Sequence, residues 1–594
     1  MRKKHLLSFF CLFWVNSGYA VGQMVNLPMR PVLPEDLSVP EMVKQEQRLN
    51  DLKQQLEQAP LIAPSTSKQA DLHSSIVVEE EPCFQIHAYR VEVIDQTNLS
   101  EAQKVFSFLQ KTLNQPKNKL TQQCIGTQSL QNIVRFAQNE LIRRGFITSQ
   151  VTVQEQDLNQ GLIVLQLHTG RIHQIQQIGP DISQLQLQTA LPFAAGDLLN
   201  IKQLDQGLEN LKKISGLDVD IQIIPSSQDD VSTASLNSGY SNIQITTQAY
   251  QKVNFNVSFD DSGNKATGKY IGTTALSLNN PLRMNDTLYL SYSHSLDDWH
   301  QDRNQSYLIN YQLPFQSFDL NASYNEYEYD QNVAGYQRVN LYSGISQQAN
   351  LSLSKMISRG SHYKTSLYGK LYHKQNRNYI EDIEIGVQHR RTSGWNAGLV
   401  HKHYIGSVLL DASLDYRHGT GALSAKPAPE EEITDSFGNR LPEEGYARAP
   451  IWSADFRISY PFFLLDQPAQ YRLNWRGQYA SELLVPQDRF YIGGRYSVRG
   501  FDGEIMLSGD HGHTLQQELN INLPVNSQLY MGVDQGWVSG PHSLSGQRNL
   551  VGTVIGLRSY WQGLYLDAFA GHGLVAPQSI PKEWVTGFSL NYSF

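Results

Sequence analysis

The chain has 594 residues, too many for one ordinary domain, and its formal net charge of −8 argues against a nucleic-acid partner. Mean hydropathy is −0.40, and past the first fifteen positions no run approaches the roughly 20 apolar residues of a membrane helix, so helical spans are excluded. With 30 Tyr and 43 Gly, the same polar average fits strands that carry apolar residues at every second position, where averaging erases them.

Residues 1–20 read as a secretory signal. Arg2, Lys3 and Lys4 are basic, residues 6–15 are apolar but too short to span a bilayer, and Gly18 and Ala20 are the small residues a signal peptidase reads. Cys11 leaves with the signal. Cys83 and Cys124 remain, an even count in an oxidising compartment, and are expected to form a disulfide. In residues 21–60, Pro28, Pro31, Pro34 and Pro40 precede one expected helix, 41–58, with Met42, Leu49, Leu52 and Leu56 near one face. A helix so polar elsewhere suits an aqueous lumen or a solvated linker. Residues 61–81 read as a tether.

Residues 82–169 read as a compact α/β unit. A strand over 84–93 is followed by a helix opened by a capping box, Ser100 with Gln103, with Val105, Phe106 and Leu109 inward. A second helix over 127–144 carries the stripe Leu130, Ile133, Val134, Ala137 and Leu141 and stops at Gly145. Alternating strands over 149–154 and 162–167 complete a β-α-α-β-β order. Residues 170–228 repeat it, with a strand around Ile172, Ile175 and Ile178, a helix over 182–191, a helix capped by Asn200 and a strand over 217–224.

From 229 to 594 the pattern is long and alternating. Phe318, Leu320, Ala322 and Tyr324 alternate with Asp319, Asn321, Ser323 and Asn325; Ala454–Tyr460 and Tyr471–Tyr479 behave alike. In a membrane barrel the apolar face meets lipid, the polar face lines the lumen, and closure removes edges that lipid could not satisfy. The available length predicts around 16 antiparallel strands, with 419–450 as a long external loop and an alternating last strand ending on Phe594.

Near the end of this region Gly493, Gly494 and Gly500 flank Val498 and Arg499, and Phe501 follows. Asp534 and Gly536 lie on a later alternating strand. With these residues the chain resembles the outer-membrane transporters of two-partner secretion, a branch of the Omp85 superfamily whose members export haemolysins, adhesins and contact-dependent growth-inhibition toxins. The resemblance covers nearly the whole chain: signal, N-terminal helix (21–60), linker (61–81), two POTRA-like units (82–169 and 170–228) and a barrel (229–594). It implies that Val498, Arg499, Gly500 and Phe501 form the tip of a loop folded into the lumen. It implies that Arg499 pairs with Asp534 of a Phe-x-Asp-x-Gly motif, completed here by Gly536, although Gly532 stands where Phe is usual. A guanidinium in such a place needs a carboxylate, and a bidentate pair fixes position as well as energy. The cysteine pair also resembles that of the family's first POTRA.

The expected function is export, by a monomer in the outer membrane and its lipid, of a large secreted exoprotein bound at the POTRA units in the periplasm, with the helix at 41–58 plugging the resting lumen. The identity of that exoprotein stays open. An Omp85 assembly insertase, a passive porin and a barrel phospholipase are the alternatives. Neither catalysis nor a cofactor is expected. The run 263–270 nearly spells a phosphate-binding loop but ends on Tyr270, without the hydroxyl that would hold magnesium on a Ser or Thr, and it joins two strands. His401 and His403 share a strand face, too few ligands for a metal site, and no Gly-x-Ser-x-Gly or His-Glu-x-x-His run occurs.

Overall fold

The computed structural model describes residues 39, 42–48, 76–180, 182–226, 239–297, 304–334, 338–432, 445–541, 543 and 547–594. In the first α/β unit, Ala88–Ile94 pairs in parallel with the central strand Leu162–His168, whose other edge takes the short antiparallel strand Gln150–Thr152. Helices Leu99–Leu113 and Thr127–Arg144 cover this sheet, and Phe106, Leu109, Ile133, Ala137, Leu141, Ile163 and Leu165 form the core. The first helix is capped two residues earlier than its capping box predicts: the Asn98 side chain accepts from the Glu101 N–H. Cys83 directly precedes, and Cys124 lies within, a short antiparallel pair, Phe84–Ile86 with Gln123–Ile125, and the two are joined by a disulfide. Closing a loop of 41 residues stabilises the unit by roughly 3–4 kcal/mol on the chain-entropy model.

The helix Thr127–Arg144 starts at Gly126, which has no side chain to cap it. The cap comes instead from the incoming chain. Glu80 accepts from the N–H groups of Gln128 and Ser129, both at 2.8 Å, Val78 exchanges hydrogen bonds with the Ser129 hydroxyl, and Asn132 donates to the Ile76 carbonyl. A carboxylate at a helix N-terminus satisfies free donors and meets the positive end of the helix dipole. These donors hold the half-buried Glu80 carboxyl below its ordinary pKa, the Ser129 hydrogen bonds first among them.

The second unit differs from its predicted boundary. Its central strand is Tyr240–Thr247, parallel to Arg171–Ile178 and antiparallel to Val219–Pro225. The sequence reading gives this strand to the barrel, because a half-buried sheet strand and a barrel strand alternate in the same way. Helices Gln184–Ala190 and Ile201–Lys212 pack on this sheet. Arg171 joins the two units. Its guanidinium donates to Asp95 (2.8 Å), to Glu101 (3.3 Å) and to the Gly196 carbonyl (2.6 Å).

Sixteen long strands, Val253–Asp260 to Trp584–Ser593, form a closed antiparallel barrel in sequence order. Their outer faces carry the apolar residues: Leu351, Leu353 and Ile357 are exposed on one strand, while Asn350, Ser352 and Ser354 alternate with them. The second α/β unit docks on the near-end turns. The Asn210 amide donates to the Gln316 carbonyl (2.7 Å) and accepts through its backbone carbonyl from Asn285 (2.6 Å); Glu209 meets both Arg359 and Lys364, and Lys213 meets Asp319.

Candidate functional site: the lumen and loop 6

Loop 6, residues 481–510, joins the eleventh strand, Gln467–Ala480, to the twelfth, His511–Leu523. It turns into the barrel. A short hairpin, Phe490–Ile492 with Leu507–Gly509, holds its base, and its tip buries Val498 and Phe501 with Ile492, Leu507, Val538 and Leu550. At the tip Arg499 meets two carboxylates on the wall. Asp534 accepts from the Arg499 guanidinium through both oxygens, at 2.7 and 2.9 Å, and from the Arg499 backbone N–H at 2.9 Å. The third guanidinium nitrogen donates to Glu518. Asp534 is fully buried and Glu518 nearly so. Both charges are therefore compensated, as burial demands.

The network runs on along the wall. Arg558 donates to Glu518 (2.7 Å), Asn520 (2.9 Å) and Asp567 (3.2 Å), and lies 3.8 Å from the centroid of the Tyr530 ring, whose hydroxyl donates to Asp567. Glu518 thus joins the loop-tip arginine to a second arginine.

The tip lies in a bed of missing side chains. A Cβ on Gly532 would come within 3.0 Å of the Arg499 guanidinium, one on Gly536 within 2.8 Å of Val498, one on Gly552 within 2.0 Å of the Arg499 carbonyl oxygen, and one on Gly573 within 2.6 Å of the Phe501 ring. Gly500 itself has φ +107° and lies against the His572 backbone, which only glycine permits without strain. A Cβ on Gly532 would also stand 2.6 Å from the Gln517 carbonyl oxygen.

The sequence reading names Val498, Arg499, Gly500, Phe501, Asp534 and Gly536, and all six meet at this one site. It misses Glu518, Gly552, Gly571 and Gly573. The glycines carry a signal, since glycine inside a strand often marks close approach of another backbone. Glu518 carries none, being one inward acid among many.

Residues 42–48 are helical and lie inside the barrel. Val39, Met42 and Val43 pack against Tyr491 and Met506 of loop 6. Lys44 donates to the Gly263 carbonyl (2.9 Å), Arg48 to Asp260 (3.0 Å) and Thr273 (3.1 Å), and Glu46 accepts from Lys374 (3.3 Å). Leu49, Leu52 and Leu56 lie outside the described residues. The run 263–270 is the loop between the first two barrel strands. His401 and His403 approach to 3.4 Å, and among the described residues no group of three or more ligating side chains could hold a metal ion.

Residues 239–559 match the model of the haemolysin secretion/activation family ShlB/FhaC/HecB; residues 93–170 match the ShlB-type POTRA domain and 171–225 a further POTRA domain. The chain is 30% identical to the outer membrane transporter CdiB-2 of Burkholderia pseudomallei strain 1026b, over 87% of this chain and 88% of that one. It is 24% identical to the hemolysin transporter protein HpmB of Proteus mirabilis, over 96% and 95%. The solved structure of CdiB from Acinetobacter baumannii superposes with a TM-score of 0.84 at 50% identity, over 95% of this chain and 100% of that one.

Proposed function

The chain belongs to the ShlB/FhaC/HecB family of haemolysin secretion/activation proteins, and from that premise we infer that it is an outer-membrane translocator that exports a partner exoprotein through its barrel. The barrel lies in the outer membrane and the POTRA units lie in the periplasm. The observation that carries this reading is a closed sixteen-stranded barrel with two POTRA units docked at one end and its lumen filled from within by loop 6 and a helix. That is a conduit with a receiving end and removable contents. A porin needs no receiving units, and an assembly insertase is not favoured by these similarities.

Within this reading Arg499 with Asp534 and Glu518 latches loop 6 to the wall, and the helix at 42–48 plugs the lumen at rest. The wall contacts of its described residues Lys44, Glu46 and Arg48 are polar, which suits a segment that leaves. The POTRA units receive the exoprotein; an extended segment adding a strand at a sheet edge is the mode their open edges fit. The similarity to transporters named CdiB favours a toxin of the contact-dependent growth-inhibition class as cargo. The translocator works as a monomer, and its apolar outer band contacts membrane lipid.

The test is export of the partner exoprotein from a strain lacking this chain, complemented with wild type or Arg499→Ala. Export that needs the chain and falls with Arg499→Ala is expected. Export that proceeds without the chain, while other outer-membrane barrels are lost, would replace the translocator with an insertase.

A further inference from the structure

The barrel closes on its shortest joint. The last strand meets its neighbour Leu564–Val575 over nine residue pairs, but it meets the first strand over only five, from Ser589 opposite Asp260 to Ser593 opposite Asn256. The first strand ends at Asp260, so residues 584–588 of the last strand have no register partner on that side among the described residues.

The next rung is made by a backbone bond, Asp261 N–H to the Phe588 carbonyl at 3.4 Å, together with the Asp261 side chain. The Asp261 carboxylate accepts from the backbone N–H of Phe588 at 2.9 Å and from the Arg495 guanidinium of loop 6 at 2.5 Å. The same guanidinium reaches the Asp261 carbonyl oxygen at 3.1 Å and lies 5.4 Å from the centroid of Phe569 on the fifteenth strand. Gly587 on the last strand leaves the space: a Cβ there would stand 2.4 Å from the Phe569 ring and 2.8 Å from Arg495. One arginine therefore contacts chain on both sides of the joint. The Asp261 side chain is only 5% exposed, so removing Arg495 would strand a buried charge whose remaining cation, Lys269, is 3.8 Å away and 40% exposed.

A plainer account is that Arg495 only positions loop 6. The tip is already held by Arg499 on the twelfth and thirteenth strands, however, and the other contact of Asp261, to Phe588, involves no loop 6 atom. We propose that Arg495 and Asp261 form a staple holding the first barrel strand to the last, a duty of loop 6 separate from its Arg499 anchor.

Hydrogen exchange on the full-length protein in lipid nanodiscs tests this. Arg495→Ala and Asp261→Ala should each speed exchange in 253–260 and 588–593 by about tenfold or more while leaving the thirteenth strand, Ser527–Ser539, unchanged. Arg499→Ala should loosen loop 6 and leave the joint protected. A disulfide between the register partners Ser258→Cys and Asn591→Cys should restore protection to Arg495→Ala, and should restore assembly if that variant alone fails to fold. The staple is wrong if the joint stays protected in both alanine variants, if Arg499→Ala opens it equally, or if all strands loosen together.

Discussion

Asp534 holds Arg499 twice, by its side chain and by its backbone N–H, so one carboxylate sets both the position of the loop tip and the direction of its guanidinium. Arg499→Lys keeps the charge but cannot fork between Asp534 and Glu518. We expect Arg499→Lys to export poorly and Arg499→Ala more poorly still, since stripping one partner from a buried pair costs roughly 3–5 kcal/mol. Asp534→Asn should cost more than Glu518→Gln, because after Glu518→Gln Arg499 still has Asp534 and Arg558 still has Asp567. Secretion assays with trypsin access to loop 6 measure both; equal loss from Glu518→Gln and Asp534→Asn would contradict the ranking.

The glycine bed gives a second expectation. Gly552→Ala puts a methyl carbon against the Arg499 carbonyl oxygen, so the tip must lift. Overpacking of this kind costs about 1–3 kcal/mol. Gly552→Ala should therefore resemble a mild Arg499→Ala in loop accessibility while leaving every charged residue in place. Wild-type trypsin resistance in Gly552→Ala would show that the tip does not rest there.

The charged part of the joint between the α/β units is Arg171 with Asp95, whose side chain is fully buried. Burial alone would raise the Asp95 pKa, but the Arg171 guanidinium, the N–H groups of Asn98 and Thr97 and the Thr169 hydroxyl outweigh it and hold the carboxyl below its usual range. A depressed carboxylate stabilises the fold above its unfolded pKa of about 4, and that contribution is lost as pH falls through the folded value. Distances between spin labels on the two units should stay sharp from pH 8 to 5 and broaden only in stronger acid. Arg171→Ala should broaden them at pH 7, at a cost of roughly 3–5 kcal/mol. Sharp distances in Arg171→Ala would mean the joint is held elsewhere.

The lumenal helix is held by Lys44, Glu46 and Arg48 on different parts of the wall. Removing residues 21–60 should raise single-channel conductance, and Arg48→Ala with Lys44→Ala should raise the frequency of open events. Unchanged conductance after the deletion would count against a plug.

What the sequence discloses follows from how local each signal is. The strand count follows from the length available, the helix pairs are legible because their apolar stripes lie within a few residues, and the Arg499–Asp534 pairing is implied only by the family resemblance. Tyr240–Thr247 was assigned to the wrong sheet because its alternation is identical in either. Glu518, Gly552 and Gly573 became part of the site only when the loop tip reached them across the lumen, a relation no local pattern encodes. Asp261 reads as an ordinary loop acid until the closed barrel sets it beside Phe588.

On the proposal that the lumenal helix plugs the resting pore, the clamp of residues 76–80 on the first POTRA unit bears on recovery after each export cycle. Arg48 in the lumen and Ile76 on that unit are 28 residues apart, so the helix can never stray more than roughly 90–100 Å from its mooring, whatever path the chain between them takes. A tethered segment returns as an intramolecular ligand, at an effective concentration of order millimolar for short connections. Re-closing the pore would then be a first-order event, independent of how many copies of the protein the membrane holds, and it would require no energy source in a compartment without nucleotide.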